Sequence, residues 1–277
     1  MSGLKVFTIS LITYCLLFNI SIAEVYAGPV VENLVSKKAA ILKSIHKKAK
    51  KALVNSAQDR TFQQYFRAGN NSTRIDLKQK IDHISLNVQD HFHVEEMCLI
   101  DPNGSEISRI IGKKIATDLS HDEASAPFFQ PGFSQKPRTV YVSPVYMSPD
   151  VDKWVLAYVT PITVIDKVVA ILHYEHGLEV YQKALNKGLA GDNTYLVAVN
   201  EKGRVLSDSR VSLEVEMRDK NEALEYYFKE FNFNGKSLKQ TLAEIDDGNQ
   251  LREKNGSRYQ AAYREVGNWT LVAFQLI

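Results

Sequence analysis

Residues 98–108 read CLIDPNGSEIS, an apolar run, a polar turn and a second run that returns beside the first. Pro102 presets the backbone angle of a turn, and Gly104 accepts the positive φ that a tight turn demands. The pattern recurs as VAVNEKGRVLS over residues 197–207, so that Gly104 and Gly203 stand 99 residues apart. The recurrence predicts a duplicated strand–turn–strand unit.

The two copies also end alike, because Ala157-Tyr158 and the hairpin into 168–171 resemble Ala262-Tyr263 and the hairpin into 271–274. Each half is predicted to be an antiparallel sheet flanked by helices, an α+β module. Strands are predicted at 94–100, 105–111, 138–147, 153–162, 167–175, 194–200, 205–210, 257–264 and 269–276. A short helix and loop at 118–129 and helices at 177–189, 221–231 and 237–245 complete the prediction.

Two helices are predicted ahead of the first strand. Apolar residues at three- and four-residue spacing indicate one long helix over 31–68, and Ser72 or Thr73 caps a second over 74–91. Seven lysines lie between residues 37 and 51 of the first helix. They form either a solvated helix face, the interpretation that we favour, or a surface attracted to anionic lipid.

The composition excludes several classes of protein. The 34 Lys and Arg nearly balance the 32 Asp and Glu, so net charge provides no drive toward nucleic acid. The hydrophobic content of 44% and the charged content of 24% are typical of a globular protein. Cys15 and Cys98 are too few for a disulfide-rich scaffold or for a zinc site built from cysteines.

Residues 1–27 have the three parts of a secretory signal peptide: Lys5, an uncharged apolar run, and small-residue cleavage sites ending at Ala23 and Ala27. A retained membrane anchor over residues 4–23 is the alternative, although its length is at the lower edge of the ~17–25 residues that span a bilayer. The predicted organisation is a signal peptide (1–27), N-terminal helices (28–92), a ligand-binding module (93–190) and a smaller second module (191–277).

The long N-terminal helix, the strand–turn–strand of 97–111 and three further runs resemble the double-Cache family of extracytoplasmic sensors with PAS-like modules. These runs are YVSPVYMSPD (141–150), WVLAYVTPI (154–162) and VVAIL (168–172). The resemblance implies a sensory ectodomain of the kind found in chemoreceptors, histidine kinases and diguanylate cyclases. It also implies binding of amino acids, carboxylates or amines in the membrane-distal module, which comes first in sequence.

The chain departs from the family in two respects, the residues of the amino-acid-binding subfamily and the end of the chain. The Arg-x-Trp-Tyr element of that subfamily is missing ahead of Tyr141, and Glu175 stands near the place of its terminal Asp. The chain also ends directly after the last predicted strand, so we expect its output to be read by a separate partner.

A pocket needs apolar walls and a few convergent polar groups. Arg138 is suited to a carboxylate and Glu175 to an amine. Two-residue alternation puts Tyr141 with Ser143 on one strand face and His173 with Glu175 on another. The predicted ligand-binding residues are Phe129, Arg138, Tyr141, Ser143, Tyr146, Asp150, Trp154, Tyr158, His173 and Glu175. The competing interpretation is that these side chains form core and cross-strand pairs.

Metal and catalytic patterns are weak. His91, His93 and Glu95 share a face if the backbone is extended, and His121-Asp122-Glu123 are adjacent, but solvated polar residues explain both groups better. The sequence has no Gly-x-Ser-x-Gly elbow, no glycine-rich phosphate loop and no His-Glu-x-x-His. We therefore predict no cofactor, no metal and no enzymatic activity.

The sequence predicts an exported, periplasmic or extracellular ligand-binding protein with no nucleic-acid partner. Its expected partners are a small organic ligand (a carboxylate, an amine or an amino acid) and a membrane receptor or kinase, or a second copy bound through the N-terminal helix. A membrane-tethered sensor ectodomain and a periplasmic enzyme are the alternatives.

Overall fold

The computed structural model describes residues 5–91, 94–189, 193–210, 229–246 and 248–277, with side chains from residue 29 onward except 89–91. The described chain divides into two compact units. We call Ser44–Tyr181 the central unit, and Met1–Lys43 with Gln182–Ile277 the terminal unit. Most of the helix predicted at 221–231 lies outside the described residues.

The N-terminal part is formed by three helices: α1 (Lys5–Ala57), α2 (Arg60–Arg67) and α3 (Asn71–His91). The prediction of one helix over 31–68 is wrong at residues 58–59, because Asp59 starts a new helix by accepting a hydrogen bond from the Thr61 amide at 2.8 Å. The predicted cap of the next helix also changes: Asn70 Oδ1 accepts from the Thr73 amide at 2.8 Å.

The central unit contains one antiparallel sheet of seven strands in the order β3-β2-β1-β7-β6-β4, with β5 paired to β6. These strands are β1 (Glu96–Ile100), β2 (Glu106–Ile111), β3 (Lys114–Ile115), β4 (Tyr141–Val142), β5 (Tyr146–Ser148), β6 (Lys153–Val164) and β7 (Lys167–Gly177). A 3-10 turn (Glu123–Ser125) and α4 (Phe129–Phe133) connect β3 to β4, and α5 (Leu178–Asn186) follows β7.

The terminal unit contains the second antiparallel sheet, in the order β10-β11-β12-β8-β9. Its elements are β8 (Thr194–Asn200), β9 (Val205–Asp208), α6 (Leu238–Asp246), β10 (Leu251–Arg252), β11 (Arg258–Val266) and β12 (Trp269–Leu276). The ring of Phe274 is stacked between those of Tyr195 and Phe233, at centroid distances of 4.6 and 5.2 Å. The Lys38 ammonium of α1 donates to two carbonyls at the C-terminal end of α5, so this lysine is not part of a solvated face.

The duplication that the sequence predicts is confirmed down to its turn chemistry. Asp101 Oδ1 accepts from the amides of Asn103 and Ser105. Asn200 Oδ1 accepts in the same way from the amides two and four residues later. Both hairpins also carry a β-bulge at corresponding places, between Leu99 and Ile100 and between residues 198 and 199. The predicted α+β fold, with a long N-terminal helix and two antiparallel sheets, is confirmed.

Among the described residues, no helix combines the length and the apolar character that a bilayer crossing requires.

Candidate functional site

One face of the central sheet gathers ionisable side chains from its middle strands. In the register of β1 with β7, Glu96 lies opposite Glu175 and Cys98 lies opposite His173. Directly paired residues of antiparallel strands point to the same face. All four side chains therefore project to one side, and they are all buried.

The β-bulge in the β1–β2 hairpin, whose extra residue is Ile107 of β2, adds Glu106 to this face. Cys98 pairs with Arg109 on β2, so strict alternation from Arg109 would turn Glu106 to the opposite face. The bulge shifts the register by one residue and pairs Ile100 with Glu106 instead. Glu106 and Arg109 therefore stand on the same face, with the guanidinium Nε 3.6 Å from Glu106 Oε2.

A cavity of about 290 Å³ lies over this face. Its walls come from β1 and β7, from the segment around the 3-10 turn, and from β5 with the turn that follows it. The lining residues are Glu96, Cys98, Asp122, Glu123, Ser125, Ala126, Pro127, Phe128, Tyr146, Met147, Pro149, Asp150, His173 and Glu175. Five of these carry carboxyl groups, and the described lining includes no lysine or arginine.

Tyr146, His173 and Glu175 form the inner wall of the cavity. The Tyr146 hydroxyl donates to Glu175 Oε1 at 2.5 Å and lies 3.4 Å from His173 Nε2. The His173 ring is stacked on Phe128 at a centroid distance of 3.9 Å. Within the described part of the chain, Glu175 Oε2 and His173 Nδ1 are buried and have no hydrogen-bond partner.

Burial changes the protonation of these groups. Burial, and then the charges of Glu175 and Asp150, raise the pKa of Glu96 well above its usual range. Burial likewise raises the pKa of Glu175, and burial with the nearby Glu106 raises that of Glu123 to about 7. Burial lowers the pKa of His173 to about 3, so this imidazole is neutral. Burial therefore disfavours the charged form of these carboxyl groups, and a cation placed among them would favour it.

Arg109 is the cation nearest to these carboxyl groups, and its own charge is already balanced. Its guanidinium nitrogens lie 2.7 Å from Asp150 Oδ1 and 3.0 Å from Asp118 Oδ1, besides the contact with Glu106. It does not line the cavity. Arg109 thus orients these carboxylates, and its guanidinium is already ion-paired, so it is poorly placed to bind an anionic ligand.

The structure brings together four of the predicted ligand-binding residues, Tyr146, Asp150, His173 and Glu175, in the cavity lining. Arg138 is exposed at φ 64°, outside the lining. Phe129 and Tyr141 belong to the hydrophobic core cluster beside the cavity. Trp154 is half-buried on β6, outside the lining.

Two other predicted residues have structural contacts away from the cavity. Ser143 Oγ donates to the Pro144 carbonyl at 2.7 Å and accepts from the Ala157 amide at 2.9 Å, which ties the β4–β5 connection to β6. Tyr158 pairs with Tyr174 on the opposite face of the sheet. Its hydroxyl lies 2.6 Å from His46 Nδ1 on α1 and 2.6 Å from the Tyr181 hydroxyl.

Sequence reasoning missed Glu96, Cys98, Glu123 and Phe128 in the lining. Glu96 could have been recognised from the sequence, because burying a carboxyl group in an otherwise apolar strand costs free energy unless the group is paired. Of the two histidine groups considered for metal, the side chains of His91 and His93 lie outside the described residues. Glu95 binds the Lys153 ammonium at 2.9 Å, and His121 is exposed beside Ser105.

Comparisons with known proteins place the fold. No protein-family model and no curated protein matches the chain. A solved structure of the sensory domain of the Campylobacter jejuni chemoreceptor Tlp3, with isoleucine bound, matches at TM-score 0.67 and 13% identity, covering 90% of this chain and 91% of that one.

Two further structures are similar. One is the ligand-binding domain of the Pseudomonas fluorescens chemoreceptor CtaA in complex with L-serine (TM-score 0.59, 12% identity, covering 90% of this chain and 96% of that one). The other is the extracellular domain of a protein named as the histidine kinase vpHK1S-Z8 (TM-score 0.64, 14% identity, covering 91% and 92%). The chain has a long N-terminal helix followed in sequence by two antiparallel sheets, and its structural neighbours are sensory domains. It therefore has the fold of the Cache sensor domains.

Proposed function

We propose that the chain is an exported sensory protein that binds a small solute carrying a protonated amine in the cavity of the central unit. The observation that carries the proposal is the carboxyl content of the lining. Glu96, Asp122, Glu123, Asp150 and Glu175 all face the cavity, and the basic side chain among them, His173, is neutral.

An ammonium group matches the hydrogen-bonding needs of this lining. Glu175 Oε1 already accepts from Tyr146, whereas Oε2 is buried with no donor among the described residues. A buried acceptor without a donor costs about 1–3 kcal/mol, more when it is charged. A bound ammonium removes that cost and allows Glu175 to ionise.

The aromatic walls and the size of the cavity limit the rest of the solute. Phe128 and Tyr146 supply an apolar surface on which an alkyl chain or a cation can rest. A volume of about 290 Å³ is at the lower end of ligand pockets, which typically measure ~300–1,000 Å³. The solute is therefore small.

An amine is favoured over a carboxylate or an amino acid. The Tlp3 and CtaA structures contain amino acids, which supports recognition of a small solute. An amino acid also needs a donor for its carboxylate. Arg138, the residue suited to that task by sequence, is exposed outside the lining, and Arg109 is occupied by its own carboxylates.

Strand β7 offers a mechanism for signalling because its two faces contact different partners. His173 and Glu175 face the cavity, whereas Tyr174 donates to Ser56 Oγ of α1 at 2.8 Å from the opposite face. Pairing of Glu175 with an ammonium would pull on β7 and thereby bias the packing of the residue 44–57 part of α1. We propose that a receptor or kinase reads this change, and that residues 1–27 direct the export.

The test is a calorimetric titration of the full chain with short alkyl amines and diamines, and with carboxylates and amino acids of matched length. We expect an amine to bind and the carboxylates not to bind. Glu175→Gln should weaken amine binding at least tenfold, since it removes a buried ionic partner. Asp166→Asn is the matched control, because it removes an exposed carboxylate at the β6–β7 turn of the same sheet.

Binding of carboxylates in preference to amines would contradict the proposal. Amine binding that Glu175→Gln leaves unchanged would also contradict it, because the solute would then lie outside this cavity.

A further inference from the structure

Two side chains at the floor of the cavity, together with a third buried beside them, have the composition of a metal site. Glu96, Cys98 and Glu106 each offer a ligand atom, and these atoms all lie within 4.8 Å of one another. We propose that they bind a thiophilic divalent cation of the zinc type. This inference goes beyond the proposed function, because it concerns the floor of the cavity and does not depend on an organic solute.

The distances are close to those of a formed site. Cys98 Sγ lies 3.3 Å from Glu96 Oε1 and 3.1 Å from Glu106 Oε1. With Zn–S of about 2.3 Å and Zn–O of about 2.0 Å, a tetrahedral site separates sulfur from oxygen by about 3.5 Å. Both sulfur–oxygen distances are therefore within a few tenths of an ångström of those in a formed site.

The Cys98 thiol has more acceptors around it than it has protons to donate. It has one proton and faces two carboxylate oxygens, so only one of them can accept it at a time. Binding of the cation displaces that proton to solvent, and the resulting thiolate and both carboxylates then coordinate the ion.

A second observation points to a cation in the same cavity. Glu175, which pairs with Glu96 across β1 and β7 and lines the same cavity, is 2% exposed. Its Oε2 has no hydrogen-bond partner among the described residues. Zinc sites with three protein ligands keep a fourth position open. A water can take that position here.

Glu106 is held in the orientation that coordination needs. Its Oε2 accepts from the Ser120 amide at 2.6 Å and faces Arg109, which leaves Oε1 directed at Cys98. Such outer contacts orient metal ligands in known sites. The positive charge of Arg109 is offset by Asp118 and Asp150, so it opposes the cation only weakly.

The experiment is a titration of the full chain with Co²⁺, without any organic solute, followed by the near-ultraviolet absorption of cobalt–thiolate bonds. We expect one equivalent to bind with this band, and Zn²⁺ to displace it. Cys98→Ser should abolish the band. Cys15→Ser is the matched control, because Cys15 is the other cysteine of the chain, and it should keep the band. Glu106→Gln should weaken binding at least tenfold, and thermal melts without metal should show that each variant folds.

Absence of the band in the wild-type chain would overturn the proposal, as would a band that survives Cys98→Ser or disappears in Cys15→Ser. If Cys98→Ser does not fold, Glu106→Gln decides, and unchanged cobalt affinity in it would overturn the proposal. The amine titration uses Glu175→Gln and no metal, so the two proposals fail separately.

Discussion

Lowering the pH should destabilise the central unit, and His46 on α1 should contribute a separable part of this effect. His46 is partly buried, and its Nδ1 lies 2.6 Å from the Tyr158 hydroxyl. The Tyr158 hydroxyl contacts that of Tyr181, which lies 2.8 Å from His176 Nδ1. The perturbation is His46→Asn, which keeps a polar atom near the position of Nδ1 and removes the titration.

The size of the effect comes from the change in pKa. Burial, then the charge of Lys50 and that of His176, lower the pKa of His46 from 6.5 to about 4. The unfolded chain therefore takes up a proton near pH 6.5, while the folded chain resists it until about pH 4. Protons then favour the unfolded state as the pH falls through this range. At about 1.4 kcal/mol per pKa unit, and allowing for partial exposure, we expect His46 to cost about 2–3 kcal/mol between pH 7 and pH 4.

The assay is urea unfolding at several pH values, followed by tryptophan fluorescence. The chain has two tryptophans, Trp154 in the central unit and Trp269 in the terminal unit. A Trp269→Phe background therefore reports on the central unit alone. His83→Asn is the matched control, because His83 is an exposed histidine on α3.

Between pH 7 and pH 4, the free energy of unfolding should fall in both the parent and His46→Asn. We expect the fall to be about 2–3 kcal/mol smaller in the variant. Parallel pH profiles for parent and variant would refute the reasoning. So would an equal flattening of the profile in His83→Asn.

Two further predictions concern packing in the central unit and use the same unfolding assay. Gly132→Ala should lower the free energy of unfolding by about 1–3 kcal/mol, because the new Cβ would lie 2.5 Å from Val159 Cγ1. Gly69→Ala is the control: its Cβ meets open space, so it should change stability by less than about 0.5 kcal/mol. Equal effects of the two substitutions would contradict this prediction. Tyr174→Phe should lower the free energy of unfolding by about 1 kcal/mol. Ser56→Ala should lower it more, because it leaves the buried Tyr174 hydroxyl without its acceptor. The reverse order would show that the hydroxyl finds another partner.

Sequence reasoning succeeded where local chemistry decides the structure. The turn at Asp101 and its copy at Asn200 were predictable, because Asx side chains bond to amides two and four residues later whatever surrounds them. The long hairpin of β6 and β7 was predictable from two mostly apolar runs that flank a short connection at Asp166. The break between α1 and α2 was missed because the apolar spacing continues across Asp59, and only the cap reveals the new helix.

Which residues line the cavity depends on which face of the central sheet bounds the cavity and which face packs against α1. Alternation separates Tyr158 from Val159, but it does not state which of the two faces bounds a cavity and which packs against α1. From the sequence, Tyr158 and His173 were therefore equally good candidates for the site, whereas the structure puts them on opposite faces of the sheet. Arg138 also had the right chemistry for a ligand, yet it lies in an exposed connection.

By itself, the sequence determined the duplicated α+β architecture, the two turn geometries and the presence of Tyr146, Asp150, His173 and Glu175 near one another in the chain. Only the tertiary structure decided that Glu96 and Glu106 join them around Cys98. The physical reason is that strand register and a single β-bulge, which depend on pairing between distant segments, determine the face on which each carboxyl group is buried.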